Sequence, residues 1–442
     1  MSSNHWSSRL AFIITASAFA VGLGNIWRFP YIVGEGGGGA FLLVYLALIL
    51  LIGIPLLTVE MALGRLSEAT PLVGFGKLSK SPAWNGIGWL AVIATLMIMS
   101  YYVMILAWIL SYFVECISGN LMRLEPAELP GHFSAVTHSL GTAIGMVAGI
   151  LLLSFLIVTR GLQSGLERYS RFMMAGLALM LLALAAWAAT LEGAQAGYRW
   201  YLTPDFSKIN AQVAISALGQ MCFSVGVGMG IAFVFGSYSD KEDNLPSTAG
   251  WIVLADTAIA LLAGLMIFPA IFSFGLSPDS GPSLIFISMA SIFGQIAYGR
   301  LLGAAFFLLL FLAGFTSLIA SVQGLKDSFL EKFRLSSASA LWLVTGIIGA
   351  GSVPVVFSYA DQPWMIFGKT VFDFLDYLAN NILLPVGASL LALFSAYVVG
   401  YARLAAHIDQ GAGRLKIGNK WKLILKVIIP LALLIILWNG IF

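Results

Sequence analysis

Charge is what this chain has least of. Asp, Glu, Lys and Arg make up 10% of its 442 residues, against 60% hydrophobic, and mean hydropathy is +0.94. A water-soluble domain cannot hide that much apolar surface, so the composition implies a polytopic membrane protein in a lipid bilayer. Net charge is only +3, and no basic run carries interleaved aromatics, so nothing points to nucleic acid. Cysteine is nearly absent: Cys116 and Cys222 lie far apart in apolar stretches and form no disulfide or metal framework. Histidine is scarce too, and His5, His132, His138 and His407 are dispersed. Gly368-Lys369-Thr370 resembles the end of a P-loop, but Pro363 occupies the required first glycine position. Gly22-Leu23-Gly24 lacks the preceding strand of a dinucleotide site. The chain reads as no enzyme. Its first apolar segment has no small-residue cleavage site at the right distance, so it reads as a retained helix.

What is abundant is apolar length. Eleven stretches are long enough to span a bilayer: 10–33, 38–64, 84–117, 141–159, 165–190, 211–238, 248–276, 299–329, 338–357, 371–400 and 423–441. The stretch 277–298 is too polar to span and reads as a large surface loop with short helices. With the N-terminus inside, 17 of the 23 Lys and Arg fall in inside segments. That bias places the N-terminus in the cytoplasm and, after an odd number of spans, the C-terminus outside.

Two stretches are broken. Ala20-Val-Gly-Leu-Gly-Asn25 interrupts the first, and Gly226-Val-Gly228-Met-Gly230 interrupts the sixth. Irregular backbone survives at membrane depth only where it lines a protein cavity. Such glycines also let helices pack closely, which is the plainer reading of either cluster alone. Two clusters at matching places in two halves point instead to a transporter site. Residues 10–190 and 211–400 then form two five-span repeats. Five is odd, so the second repeat is inverted relative to the first, and 423–441 is a peripheral helix.

Several stretches resemble the neurotransmitter:sodium symporter family. They are Ala-Val-Gly-Leu-Gly-Asn-Ile-Trp-Arg-Phe-Pro (20–30), Gly-Gly-Gly-Gly-Ala-Phe (36–41), Val-Glu-Met-Ala-Leu-Gly-Arg (59–65) and Ser-Tyr-Tyr (100–102). Gln220 to Gly230 and Ala313-Gly-Phe-Thr-Ser317 complete the set. The pattern is most similar to bacterial transporters of hydrophobic amino acids. The resemblance implies an all-α polytopic membrane protein with an inverted five-helix repeat. It would have 11 transmembrane helices, with the first and sixth unwound at mid-membrane. It also implies sodium-coupled uptake of hydrophobic L-amino acids across a bacterial plasma membrane.

By the same resemblance, Ala20, Gly22, Leu23, Gly24, Ile98, Tyr102, Phe223, Ser224, Met229, Ser317 and Ser321 would bind substrate. Free amides at Leu23–Gly24 and the Tyr102 hydroxyl suit a carboxylate. Carbonyls of Ala20, Phe223 and Ser224 suit an ammonium group. Monoamine carriers of the family have aspartate at the Gly22 position, so glycine favours amino acids. Two Na+ sites are implied. The first comprises Ala20, Asn25, Ser224, Asp256 and the substrate carboxylate. The second comprises Ala18, Val21, Ala313, Thr316 and Ser317. Asp256 stands where the family more often has asparagine. Beside Tyr45, Gln220 and Ser224 it would supply the charge that chloride supplies elsewhere, making transport chloride-independent. Arg28 and Asp376 would gate the outer vestibule, and Trp6, Arg9 and Glu331 the inner side. The family's usual basic residue before Trp6 is missing from Ser2-Ser3-Asn4.

Some residues keep a plainer reading beside the functional one. Tyr102 suits a satisfied core tyrosine, and the Thr316-Ser317 pair suits back-bonding to its own turn. The buried acid Glu60 reads as an acceptor for amides freed at the second break, with proton transfer as the alternative. Ala175 stands where the family often has proline, which keeps the fifth helix regular. A gated channel and a non-transporting amino-acid receptor are the competing functions.

Overall fold

The computed structural model of the chain describes residues 6–278, 284–360 and 362–441. It is α-helical with one two-stranded hairpin. The helices are α1 (Arg9–Ala20), α2 (Gly24–Glu35), α3 (Gly39–Ser67), α4 (Pro71–Ser79), α5 (Pro82–Ser118), α6 (Leu129–His138), α7 (Leu140–Val158), α8 (Leu162–Ala189) and α9 (Ala194–Leu202). They continue as α10 (Ala211–Val225), α11 (Ile231–Ser237), α12 (Leu245–Ser273), α13 (Ser288–Gln295), α14 (Gly299–Phe333), α15 (Ser337–Tyr359), α16 (Val371–Val398), α17 (Tyr401–Asp409) and α18 (Ile424–Ile435). β1 (Met365–Ile366) pairs antiparallel with β2 (Lys369–Thr370) between α15 and α16.

Among the described residues eight helices are long and apolar enough to cross a membrane, and α1 with α2, bent by 51° at their break, make a ninth. Each of the eleven apolar stretches falls on helix; α10 is short, and the helix of α18 continues to Ile441. The loop expectation for 277–298 needs correction. Residues 279–283 lie outside the described residues. Beyond them, Leu284, Ile285, Phe286, Met289, Ile292 and Phe293 are almost wholly buried, and Phe286 meets Trp108, Tyr112, Phe133 and Phe307. The segment's apolar face sinks into the helix bundle, because burial of aromatic area outweighs the polar start of the stretch.

Prolines shape several spans. Four π-helical turns, Gly24–Arg28, Ile49–Gly53, Leu378–Leu383 and Ile424–Ile428, each end two residues before a proline: Pro30, Pro55, Pro385 and Pro430. Proline cannot donate to the carbonyl four residues back and its ring crowds it, so the helix widens there. In α8 the wide turn Leu162–Glu167 comes first, and regular helix then runs through an exposed Ala175.

α5 and α14, the longest helices, pack together at the centre, with α1 and α11 against α14 and α3 against α11. On one face Arg65, near the end of α3, ties the chain between α11 and α12 to α17. Its Nε donates to His407 Nε2 (3.1 Å), and its other nitrogens donate to the carbonyls of Asp243 (2.8 Å) and His407 (2.9 Å). An accepting Nε2 must be unprotonated. Burial first, and the Arg65 charge second, push His407 down from 6.5 to about 4. The unfolded chain takes up this proton near pH 6.5, the folded one near 4. The stabilisation is full above about pH 7 and is lost as pH falls through that window. Thermal unfolding between pH 7.5 and 4.5 should show this loss, and His407→Gln, which accepts but does not titrate, should shrink it. An unchanged pH profile in the variant would contradict the assignment.

Candidate substrate and ion site

Where α1 stops, Val21 is extended (φ −71, ψ 97) and the backbone turns out of the helix. Side chains then take the freed groups. Gly22 N–H donates to Asn25 Oδ1 (2.9 Å), Leu23 N–H to the Tyr102 hydroxyl (3.2 Å), and Gln220 Nε2 donates to the Gly24 carbonyl (2.9 Å). All three partners are buried.

The second break depends on glycine. Gly226, Gly228 and Gly230 all have positive φ (+68, +84 and +76), a conformation that side chains resist. This alternation turns successive amides to one side. Glu60, wholly buried on α3, accepts from Gly228 N–H (2.9 Å) and Gly230 N–H (3.0 Å), one on each carboxylate oxygen. Thr95 of α5 holds the Met229 carbonyl (2.9 Å).

Between the breaks lies a small pocket. Phe19, Met99 and Gly226 line it together with Ala20, Gly22, Gly24, Ile98, Tyr102, Phe223, Ser224, Met229, Ser317 and Ser321. Ten of the eleven residues expected to bind substrate therefore meet there, and Leu23 touches it through Tyr102. The free volume is about 30 Å³, room for little more than a water. A ligand with a side chain enters only if Phe223 and Met229 swing aside. Phe223 covers Gly24, and the Arg28 guanidinium lies over its ring at 5.1 Å while bonding Gln220 Oε1 (2.5 Å).

Asn25, Ser224 and Asp256 form one cluster. Asn25 Nδ2 donates to Asp256 Oδ1 (2.6 Å) and to its carbonyl (2.9 Å), and Ser224 Oγ donates to both carboxylate oxygens (3.0 and 2.9 Å). Asp256 is wholly buried, and these partners are neutral. No Lys or Arg pairs with it among the described residues. A buried carboxyl group with only neutral donors either keeps its proton or calls for a cation. The oxygens of Ser224 and Asp256 fit a small cation such as Na+, which they and the Ala20 carbonyl would hold, joined by Asn25 if its Oδ1 took the place of the Nδ2 that here faces Asp256. The cation's charge would balance Asp256.

The second expected cation set is more tightly self-satisfied. Thr316 Oγ1 donates to the Ala313 carbonyl (2.7 Å), and Ser317 Oγ to the Phe19 carbonyl (2.8 Å), tying α14 to α1. Ala18, Val21, Ala313 and Thr316 are all fully buried.

The expected gate residues have other partners in this conformation. Arg28 and Asp376 do not pair directly. Asp376 accepts from Asn380 (2.8 Å), which also donates to the Tyr101 hydroxyl (3.0 Å). Arg9 bonds Ser247 (2.8 Å), whereas Glu331 accepts from Thr70 N–H (2.6 Å) and pairs with Lys77 (3.5 Å). Trp6 plugs the end of the bundle, stacked on Phe12 at 5.0 Å and donating to the Phe235 carbonyl (3.2 Å). The Ser2–Asn4 departure lies outside the described residues.

Sequence reasoning did not name Thr95, Tyr101 or Asn380 for the site. Thr95 was findable, because it precedes Ile98 and Met99 by three and four positions on one helix face. Tyr101 lay inside the Ser-Tyr-Tyr stretch, 100–102, whereas Asn380 carried no comparable signal.

A profile of the sodium:neurotransmitter symporter family matches residues 3–125 and 131–442. The chain belongs to this family. An uncharacterized sodium-dependent transporter of Bacillus subtilis, YhdH, is 34% identical over 98% of this chain and 97% of its own length. One from Haemophilus influenzae is 34% identical over 99% and 98%. Among solved structures, MhsT in complex with L-phenylalanine is similar at 36% identity, with a TM-score of 0.89 over 99% of this chain and 100% of that one. The protein is therefore a multi-pass membrane protein of a sodium-dependent symporter family, with the fold of MhsT.

Two substitutions test the geometry of this symporter's breaks. Glu60→Ala orphans two buried amides at about 1–3 kcal/mol each, and Glu60→Gln, which keeps one acceptor oxygen, should fall between it and wild type in thermal stability. A proton-carrying Glu60 predicts instead that Gln melts like wild type. At Gly22, an added Cβ would sit 2.6 Å from Ser317 Oγ and 3.0 Å from the Tyr102 hydroxyl. Gly22→Ala should destabilise by about 1–3 kcal/mol, and an unchanged melting temperature would contradict that packing.

Proposed function

We propose that this protein is a sodium-coupled symporter that takes up hydrophobic L-amino acids, aliphatic and aromatic, by alternating access. The observation that carries the reading is the pocket between the two breaks. Its one end is bare backbone with the Tyr102 hydroxyl, suited to an α-carboxylate and ammonium group. Its other end is Ile98, Phe223 and Met229 with small Ser321, and holds no charge. The similarity to MhsT, solved with L-phenylalanine, supports the same substrate class.

Asp256 supports the ion coupling. Na+ bound at Asn25, Ser224 and Asp256 supplies the missing positive charge, and a substrate carboxylate at the Leu23 amide completes its ligands. A second Na+ at Ala18, Val21, Ala313, Thr316 and Ser317 would brace α1 on α14. Because Asp256 provides a fixed negative charge, chloride is not required. Coverage of the pocket by Phe223 with Arg28 on one side, and by the Trp6 plug on the other, supports alternating gates over an open channel. In this reading the eleven apolar stretches are eleven spans in two inverted repeats, 10–190 and 211–400. The host is a bacterial plasma membrane with the N-terminus inside and the C-terminus outside.

Proteoliposome uptake driven by a sodium gradient tests this. Leucine, phenylalanine and tryptophan should compete for one saturable site, lysine and glutamate should not, and replacing chloride by gluconate should leave the rate unchanged. Strong competition by lysine or glutamate would overturn the substrate class, and a collapse in gluconate would overturn the role of Asp256.

A further inference from the structure

A second cavity, of about 650 Å³, lies apart from the site described above. Leu96 and Met97 of α5, Ile347 and Gly351 of α15, Leu375 of α16 and Trp364 beside the hairpin line it. Its size is that of a pocket for a ligand of many heavy atoms. It runs between three helices that are each long and apolar enough to span. Leu96 and Met97 sit near the middle of α5, beside Ile98 of the substrate pocket, whereas Trp364 and the hairpin lie beyond the end of α15. The cavity is therefore deep along the membrane normal and roofed at one end.

Its mouth opens sideways. Ile347, Trp364 and Met365 line it and are also exposed, at 37%, 51% and 53%. On α15 they continue an exposed apolar surface that includes Trp342, Leu343 and Val353. On a spanning helix such a surface faces acyl chains, and a tryptophan at the helix end suits the membrane interface. An opening on such a surface would face the acyl chains of a bilayer.

The wall chemistry selects the occupant. Among the described residues no charged side chain lines the cavity, and the one side-chain hydroxyl there, on Ser100, is already spent on the Leu96 carbonyl (2.8 Å). A zwitterionic amino acid would lose its hydration with nothing in exchange. Water gains no partners there either, whereas hydrocarbon fills it favourably.

We propose that one acyl chain of a membrane phospholipid occupies this cavity, entering from the bilayer between α15 and α16 beneath the hairpin. The chain fills the space beside a tight seam, where Gly351 packs on Ser100 and Ser352 Oγ donates to the Ser100 carbonyl (2.9 Å). It thereby supports the stretch of α5 that carries Ile98 and Tyr102.

The test uses the purified full-length protein in phosphatidylcholine vesicles doped with a phosphatidylcholine bearing a diazirine halfway along one acyl chain. After irradiation, adducts are mapped by peptide mass spectrometry. Adducts at Leu96 and Met97, unchanged by excess L-phenylalanine, are expected. Ile347→Trp and Leu375→Trp, made separately and each checked for cooperative melting, should abolish those adducts while labelling around Trp342 persists. Labelling confined to the Trp342 surface in the wild type would overturn the proposal without any variant. Displacement by phenylalanine would also overturn it, by making the cavity a second amino-acid site. Adducts that survive in a folded cavity-filling variant would do the same.

Discussion

A backbone amide released from a helix inside a membrane has no water to bond, and it must find a partner in the protein. At the second break that partner is Glu60. Its two oxygens take the amides of Gly228 and Gly230, and three alternating glycines with positive φ aim those amides at it. At the first break Asn25, Tyr102 and Gln220 share the same task. The pocket exists because these side chains keep both breaks from winding back into helix. They do so with neutral groups or hydrogen-bonded acid, which keeps non-helical backbone of both breaks at the small pocket.

The electrostatics follow from Asp256. Ionised, it would be a charge buried among neutral donors, a costly arrangement unless a cation joins it. Asn25 belongs both to this cluster and to the break, through Asp256 and the Gly22 amide. A cation at the cluster and a ligand at the break therefore act on one residue. The closure above the pocket is tied to the same elements, since Gln220 bonds both the Gly24 carbonyl and Arg28.

Much of this was legible in the sequence for definite reasons. Glycines at alternate positions inside an apolar run also suit close helix packing, but two such clusters at matching places in two halves signal breaks. A lone glutamate in a neighbouring span then reads as the acceptor the break needs. The pocket residues follow from the family resemblance, and the structure gathers nearly all of them. Less legible were contacts made by ordinary polar residues at long sequence separation, such as Arg28 with Gln220 or Asn380 with Tyr101 and Asp376. No local pattern encodes them. The burial of Leu284–Phe293 was hidden by a polar start and by the distance to its partners on α5, α6 and α14. The closed state of the pocket depends on the rotamers of Phe223 and Met229, which a sequence does not contain.

The central claim is that cation and substrate meet at one broken helix and so raise each other's affinity. Equilibrium binding of L-phenylalanine to the purified protein across a range of sodium concentrations, paired with sodium binding across a range of phenylalanine concentrations, tests it most directly. The account predicts that each ligand tightens the other by the same factor, as linkage requires. Phenylalanine binding that is unchanged when sodium is replaced by potassium would contradict it.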